Sequence, residues 1–231
     1  MKPRGSNQRD QALTLVEVLV VTAILAILGA ALLLPLLTHH GTRKPIDCIS
    51  NLGQISLAFR VWAGENNDKF PMEVSVTNGG TMELACSGNV VTTFQIMSNE
   101  LSTPKVLLCP EDIRRIWATN FSADFDDSHI SYFIGPDADT NHLQAFLSGD
   151  GNFVIGGVPA KSGLLQLSTS TFVAWNSGRH VSPGSHFWTA ARNRFSGNIL
   201  FADGSVQQVS TINLQQAFHQ TGLATNRLAI P

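Results

Sequence analysis

Glu17 stands near the start of an otherwise apolar run that extends from Leu13 to Leu37. An ionised carboxylate at membrane depth costs about 2.5–3.5 kcal/mol on insertion scales, so an acid kept there marks a function and needs a partner. A plainer role exists, because a carboxylate in the first turn of a helix favours the macrodipole by up to about 1 kcal/mol. The run is too long for a secretory signal, whose apolar core spans about 7–15 residues, and it is near the roughly 20 residues that cross a bilayer. An ordinary anchor would have no reason to keep Glu17. Lys2, Arg4 and Arg9 precede the run and no basic residue lies within it, which orients the N-terminus inward and the bulk of the chain outside the cytoplasm.

The stretch Ala12-Leu-Thr-Leu-Val-Glu-Val-Leu-Val-Val resembles the processing site of type IV pilins and type II secretion pseudopilins. The resemblance implies a peptidase that cuts between Ala12 and Leu13, methylation of the new N-terminus at Leu13, and pairing of Glu17 with the freed amine of a neighbouring subunit. The family usually has Gly where Ala12 stands and often Phe where Leu13 stands; Ala is the smallest replacement, and the site reads as intact. The implied partners are the prepilin peptidase/methyltransferase, other copies and other pseudopilin subunits, and an inner-membrane assembly platform.

Three cysteines, Cys48, Cys86 and Cys109, are expected in an oxidising compartment, where an odd count leaves one unpaired. A Cys86–Cys109 bridge would staple the globular domain, and a Cys48–Cys109 bridge would tie that domain to its helix. The spacing does not choose between these pairings, nor exclude three thiols. Asp124, Asp126 and Asp127, or Asp137 and Asp139, could supply oxygen ligands to calcium, which some pseudopilins bind, although solvated loop carboxylates are the commoner reading. No other cofactor and no metal site is expected. His39 and His40 read as interfacial polar residues. Trp62, Trp117, Trp175 and Trp188 read as core or surface anchors rather than ligand platforms. No Gly-x-Ser-x-Gly elbow, His-Glu-x-x-His or phosphate loop is present, and no enzyme is expected.

The elements that would position these groups follow from periodicity. Ile49, Leu52, Ile55, Phe59 and Trp62 recur at threes and fours and form one apolar stripe. A helix from Leu13 to about Glu65 would be on the order of 80 Å long. Pro35 is the expected kink, with Gly41 and Pro45 a second weak point. Val90 to Leu101 reads as a short helix. Ser131 to Ile134, Phe172 to Trp175, Ile199 to Phe201 and Val206 to Val209 read as strands. Asp203-Gly204 joins the last two in a hairpin, with Gly supplying the positive φ of a type I′ turn. Ser210 caps a terminal helix whose inner side carries Ile212, Leu214, Ala217 and Phe218.

Cys48 to Phe59, Asn67 to Pro71, Leu108 to Asp112, Ser131-Tyr-Phe, Leu147 to Asp150 and Gly197 to Val206 also resemble blocks of a pseudopilin-like group found mainly in planctomycete and verrucomicrobial bacteria. That group has a His ten residues before its Asp-Gly, where this chain has Asn193. The implied fold is α+β and pilin-like: a long N-terminal helix, part transmembrane and part amphipathic, packed on a small antiparallel β-sheet domain. Residues 1–12 are read as a cytoplasmic leader, 13–37 as the transmembrane half of the helix, 38–65 as its amphipathic continuation and 66–231 as the globular domain.

The 231 residues are 43% hydrophobic and 14% charged. Loss of the leader takes the formal net charge from −2 to −4, twelve basic residues against sixteen acidic, so nucleic acid is not an expected partner. The expected role is a structural subunit of a secretion or pilus-like filament, held by a single pass in the inner membrane with its globular domain in the periplasm and assembled there or at the cell surface. The alternative is a membrane-anchored exported enzyme or binding module that uses the same kind of anchor.

Overall fold

The computed structural model describes residues 15–38, 43–110, 112, 114–176 and 195–231, the side chains of 30–38 and 43–46 excepted. The chain divides into two units, Met1–Gly41 and Thr42–Pro231.

The first unit holds helix α1, Leu15–Thr38. Leu, Ile, Val and Ala fill it on every side, and each large apolar side chain from Leu15 to Leu28 is exposed. A helix that is apolar all round is stable only when something covers it. Among the described residues no helix is long and apolar enough to cross a membrane. The expected continuation of α1 toward residue 65 passes through 39–42, outside the described residues, and His39 and His40 lie there too.

The second unit begins with α2, Arg43–Glu65. Pro45 lies in its first turn, where a missing N–H costs no intrahelical bond. Cys48, Leu52, Ile55, Phe59 and Trp62 are buried and make one stripe. Ile49, expected on that stripe, is partly exposed, because the buried row runs 48, 52, 55, 59, 62 and Ile49 sits about 100° round the helix from it. Three short helices follow, α3 (Met82–Ala85), α4 (Val91–Ile96) and α5 (Ser98–Leu101). The single helix expected over Val90 to Leu101 is thus two, broken where Met97 leaves helical geometry at φ −92°, ψ 19° and is buried.

Among the described residues, nine strands form two antiparallel sheets. These are β1 (Tyr132–Ile134), β2 (Phe146–Asp150), β3 (Phe153–Ile155), β4 (Val158–Pro159), β5 (Gly163–Ser168), β6 (Val173–Trp175), β7 (Ser196–Phe201), β8 (Val206–Ser210) and β9 (Thr225–Ile230). The larger sheet has the order β5-β9-β1-β2-β7-β8 and the smaller β4-β3-β6. Helix α6, Thr211–Gln220, is capped by Ser210, whose Oγ accepts from Asn213 N at 3.4 Å. Leu214, Ala217 and Phe218 face inward as expected, but Ile212 is 88% exposed.

The six-stranded sheet is covered on both faces, and successive residues alternate between two cores. Tyr132, Ile134, Leu147, Leu200 and Ala229 pack with α2 and the short helices. Phe133, Phe146, Ile199, Phe201, Leu228 and Ile230 pack with α6 and with Phe153, Val173 and Trp175 of the smaller sheet. Strands buried on both faces read as continuous apolar runs, as Tyr-Phe-Ile and Ile-Leu-Phe do here. At Gly197 a Cβ would lie 2.5 Å from the Trp175 ring, so glycine there lets the smaller sheet rest on β7.

Candidate functional site

Glu17 lies in the first turn of α1 and is the one charged residue from Leu15 to Gly29. The other polar side chain there, Thr22, is satisfied inside the helix, its Oγ1 donating to the carbonyls of Val18 and Leu19 at 3.0 Å. What α1 presents is therefore apolar surface and one carboxylate. Ala12 and Leu13, the expected processing site, lie outside the described residues, as do Asn193 and Trp188. Pro35 falls within the helical range of α1, among residues whose side chains are not described.

In the second unit the structure chooses between the cysteine pairings. Cys48 and Cys109 form a disulfide across 61 positions of sequence, and Cys86 is free. One turn of helix from Cys48, Asn51 Nδ2 donates to Leu108 O at 3.0 Å, so α2 holds the 108–109 segment by a covalent and a polar link. Cys86 Sγ accepts from Arg227 Nη1 at 3.4 Å.

The Asp203-Gly204 turn is also attached to α2. Arg60 Nη2 donates to Asp203 O and Ser56 Oγ donates to Gly204 O at 3.4 Å. Within the turn, Gly204 N donates to Phe201 O at 2.8 Å, Phe201 N donates to Ser205 O at 2.9 Å, and only Gly204, at φ 82°, is left-handed. That is a three-residue loop, a type I turn closed by a glycine bulge, and not the expected type I′ turn, which needs positive φ at Asp203 as well. Asp203 Oδ1 accepts from Ser205 N at 2.8 Å and holds the bend. Gly204 has a second reason to lack a side chain, since a Cβ would run into the Arg60 guanidinium.

Three of the sequence blocks meet at the centre of the large sheet. Tyr132 pairs in register with Asp150, and Gly149 with Ile199. Buried Asp150 Oδ2 accepts from Asn198 N at 2.7 Å and from Asn198 Nδ2 at 3.0 Å. Burial, and then the Asp150 charge, push the Tyr132 phenol well above its ordinary value, with Asn51 opposing and Asp112 adding to the rise. These groups are fully packed, and the cluster serves to join strands.

Three of the loop carboxylates considered for calcium, Asp126, Asp137 and Asp139, are separately engaged. Asp126 Oδ1 accepts from Ser128 N and Oγ at 2.9 and 2.5 Å, which lowers its pKa. Asp139 Oδ1 accepts from Asn141 N and His142 N at 2.8 and 2.6 Å. Asp137 Oδ2 accepts from Arg227 N at 2.9 Å while its Oδ1 accepts from Nε at 2.8 Å and from Nη2. Asp127 is raised, chiefly by burial, and Arg115 Nη1 donates to its main-chain carbonyl. Among the described residues no group of three or more His, Cys, Asp and Glu is placed to hold a metal ion. Trp62 and Trp175 are core residues, and Trp117 is 54% exposed.

Ser56, Arg60, Asn51 and the Asp137–Arg227 pair carry no local sequence signal. Ser56 and Arg60 are one helical turn apart and share a face of α2, but nothing near them in the chain indicates a partner more than 140 residues away.

Among known protein families, residues 7–33 match the prokaryotic N-terminal methylation motif. The chain therefore carries a prepilin signal of the type IV pilin and pseudopilin kind, the signal of a membrane-anchored, exported protein. No curated protein and no solved structure matches the chain significantly.

Proposed function

We propose that the protein is a structural subunit of a type II secretion or type IV pilus-like filament, held by α1 as a single pass in the inner membrane with its globular unit in the periplasm. On this reading a prepilin peptidase cuts between Ala12 and Leu13, methylates Leu13, and leaves Glu17 to pair with the new amine of a neighbouring subunit. The observation that carries it is Glu17 itself, the one charge on the described face of a helix that is apolar all round, inside a methylation motif. Membrane lipid covers such a helix before assembly, and sister helices cover it afterwards.

A second feature supports assembly over simple tethering. Ile49, Leu57 and Val61 lie on α2 at spacings of eight and four, and all three are exposed, Leu57 by 63%. They form an outward apolar row distinct from the buried stripe, of the kind a neighbouring subunit would cover.

The test is mass spectrometry of the protein extracted from membranes of cells that hold a prepilin peptidase. The parent should begin at methylated Leu13, and Ala12→Leu, too bulky before the cut, should keep its leader. A mature N-terminus at any other residue would overturn the proposal.

A further inference from the structure

We infer that the surface around Trp117 is a binding site for an uncharged carbohydrate chain, with the indole as its stacking platform. The inference does not depend on the filament reading, since a filament subunit and a tethered module could both carry such a site.

Trp117 stands between two grooves. One, of about 420 Å³, is lined by Asp47, Ser50 and Gln54 of α2 together with Lys105, Pro110 and the indole. The other, of about 190 Å³, is lined by Thr119, Asn120, Ser122, Asp124 and His129 together with Trp117. The larger lies within the range of small-molecule sites, about 300–1,000 Å³. Asp126, Asp137 and Asp139 on this unit are each engaged with neighbouring groups. In the larger groove Asp47, Ser50, Gln54 and Lys105 make no side-chain hydrogen bond or ion pair with any described residue. They offer one anionic acceptor, one cationic donor and two groups that both donate and accept, with no excess of either charge.

The chain that leads to Trp117 is tied down at several points. Cys109 is tied to α2 through Cys48, and Asp112 N donates to Cys109 O at 2.9 Å. Arg115 Nη2 donates to Pro231 O at 2.9 Å, its Nη1 reaches Asp127 O, and Ile116 N donates to Ser128 O at 3.0 Å. Links on the residues before Trp117 fix where its main chain stands, which lowers part of the ordering cost of binding there.

The chemistry that fits is a flat aromatic face flanked by mixed donors and acceptors of nearly zero net charge. A pyranose ring presents C–H groups to an aromatic face, whose π cloud is the negative side, and its hydroxyls need partners that both donate and accept. A strongly charged ligand would find no matching cluster. Two grooves meeting at one indole suit a chain of sugars crossing Trp117 better than a single unit. The competing occupant is a second copy of this chain, for which exposed Ile116 beside Trp117 would be the contact.

The experiment is native affinity electrophoresis of the full chain in detergent, in gels cast with neutral polysaccharides (hydroxyethylcellulose, glucomannan, xyloglucan, starch) and with anionic polygalacturonate. At least one neutral polymer should retard the parent. Trp117→Ala should weaken that retardation about tenfold, the equivalent of about 1.4 kcal/mol, with an unchanged melting temperature, and Trp117→Phe should recover part of it. Equal retardation of Trp117→Ala, no retardation by any neutral polymer, or retention on polygalacturonate alone would each overturn the inference. So would loss of crosslinking between copies in Trp117→Ala without any polysaccharide effect, which would make Trp117 a subunit contact.

Discussion

Arg60 on α2 donates to the main-chain carbonyl of Asp203, 143 positions along the chain, and so fixes the tip of the β7–β8 hairpin against the helix at the start of the globular unit. Asp203-Gly204 is thus more than a means of reversing the chain. The peptide carbonyls of the bend are the acceptors that α2 uses, and the left-handed glycine leaves room for the guanidinium.

Arg60→Ala removes a charged donor from an exposed contact and should cost about 1 kcal/mol. Gly204→Ala should cost more, about 1–2 kcal/mol from the left-handed backbone alone, with the clash against Arg60 added. Urea denaturation in detergent measures both. Because the Arg60→Ala change removes the clash partner, the double variant should be less destabilised than the sum of the two, and strict additivity would show that the latch is not formed.

The Cys48–Cys109 bridge closes a long loop, and a loop of this length gives about 4 kcal/mol of entropic stabilisation on the usual chain model. Cys48→Ser and Cys109→Ser should each lower the denaturation midpoint by a similar amount, and the two together by no more than either alone. The native protein without reductant should take up one equivalent of iodoacetamide, at Cys86. Three equivalents would show that the bridge is absent.

Much of the globular unit was legible in the sequence, and the part that was not has a common cause. The stripe at Leu52, Ile55, Phe59 and Trp62 follows directly from helical period, and the β7–β8 hairpin from Asp-Gly between apolar runs. Strands β5 and β9 carry no such signal although they pair over six residues. Gly-Leu-Leu-Gln-Leu-Ser and Thr-Asn-Arg-Leu-Ala-Ile have weak alternation, and their paired residues lie 57 to 67 positions apart, so nothing local announces it. Ile212 differs for a reason that helical period itself supplies: it lies two residues before Leu214, about 200° round the helix and so opposite the face that Leu214, Ala217 and Phe218 bury. For the candidate sites, Glu17 and the Asp203-Gly204 turn stood out by type and spacing, whereas Arg60 and Trp117 acquire meaning only from what the fold sets beside them.

Phe59 is fully buried on the inner stripe and stacks edge-on against Phe70 with ring centroids 5.8 Å apart. Phe59→Ala should cost about 3–5 kcal/mol, enough to threaten a domain of ordinary stability. Phe59→Leu should cost much less. A thermal melt that Phe59→Ala leaves unchanged would contradict the packing of α2 on the sheet.

Two glutamates in one segment should respond to pH in opposite ways. Hydrogen bonds from Ser75 Oγ at 2.6 Å and Val76 N at 2.9 Å lower the Glu83 pKa below 4.5. Its contribution is present above 4.5 and is lost as pH falls through the lower folded value. Burial raises Glu73 above 4.5, even though Phe70 N donates to it at 2.6 Å. Its favourable contribution belongs to the protonated form and fades as pH rises through the folded value. Glu83→Gln should therefore lower the melting temperature at pH 7, with the difference closing in acid, while Glu73→Gln should leave it unchanged or raise it at pH 7. The reverse order at pH 7 would refute the assignment.

Glu17 separates assembly from tethering most sharply. Replacing it with Ala removes the one charge on the described face of α1 and makes insertion into lipid easier. Membrane insertion, processing before Leu13 and the melting behaviour of the globular unit should all stay as in the parent. Filament yield and crosslinks between copies, measured in cells that carry the cognate machine, should fall sharply, because the amine freed at Leu13 would enter the filament without its carboxylate. Glu17→Gln should fail in the same way, since it keeps the shape and loses the charge. If processed Glu17→Ala subunits polymerise as well as the parent, the carboxylate is only a favourable first-turn residue worth up to about 1 kcal/mol, and α1 is an anchor.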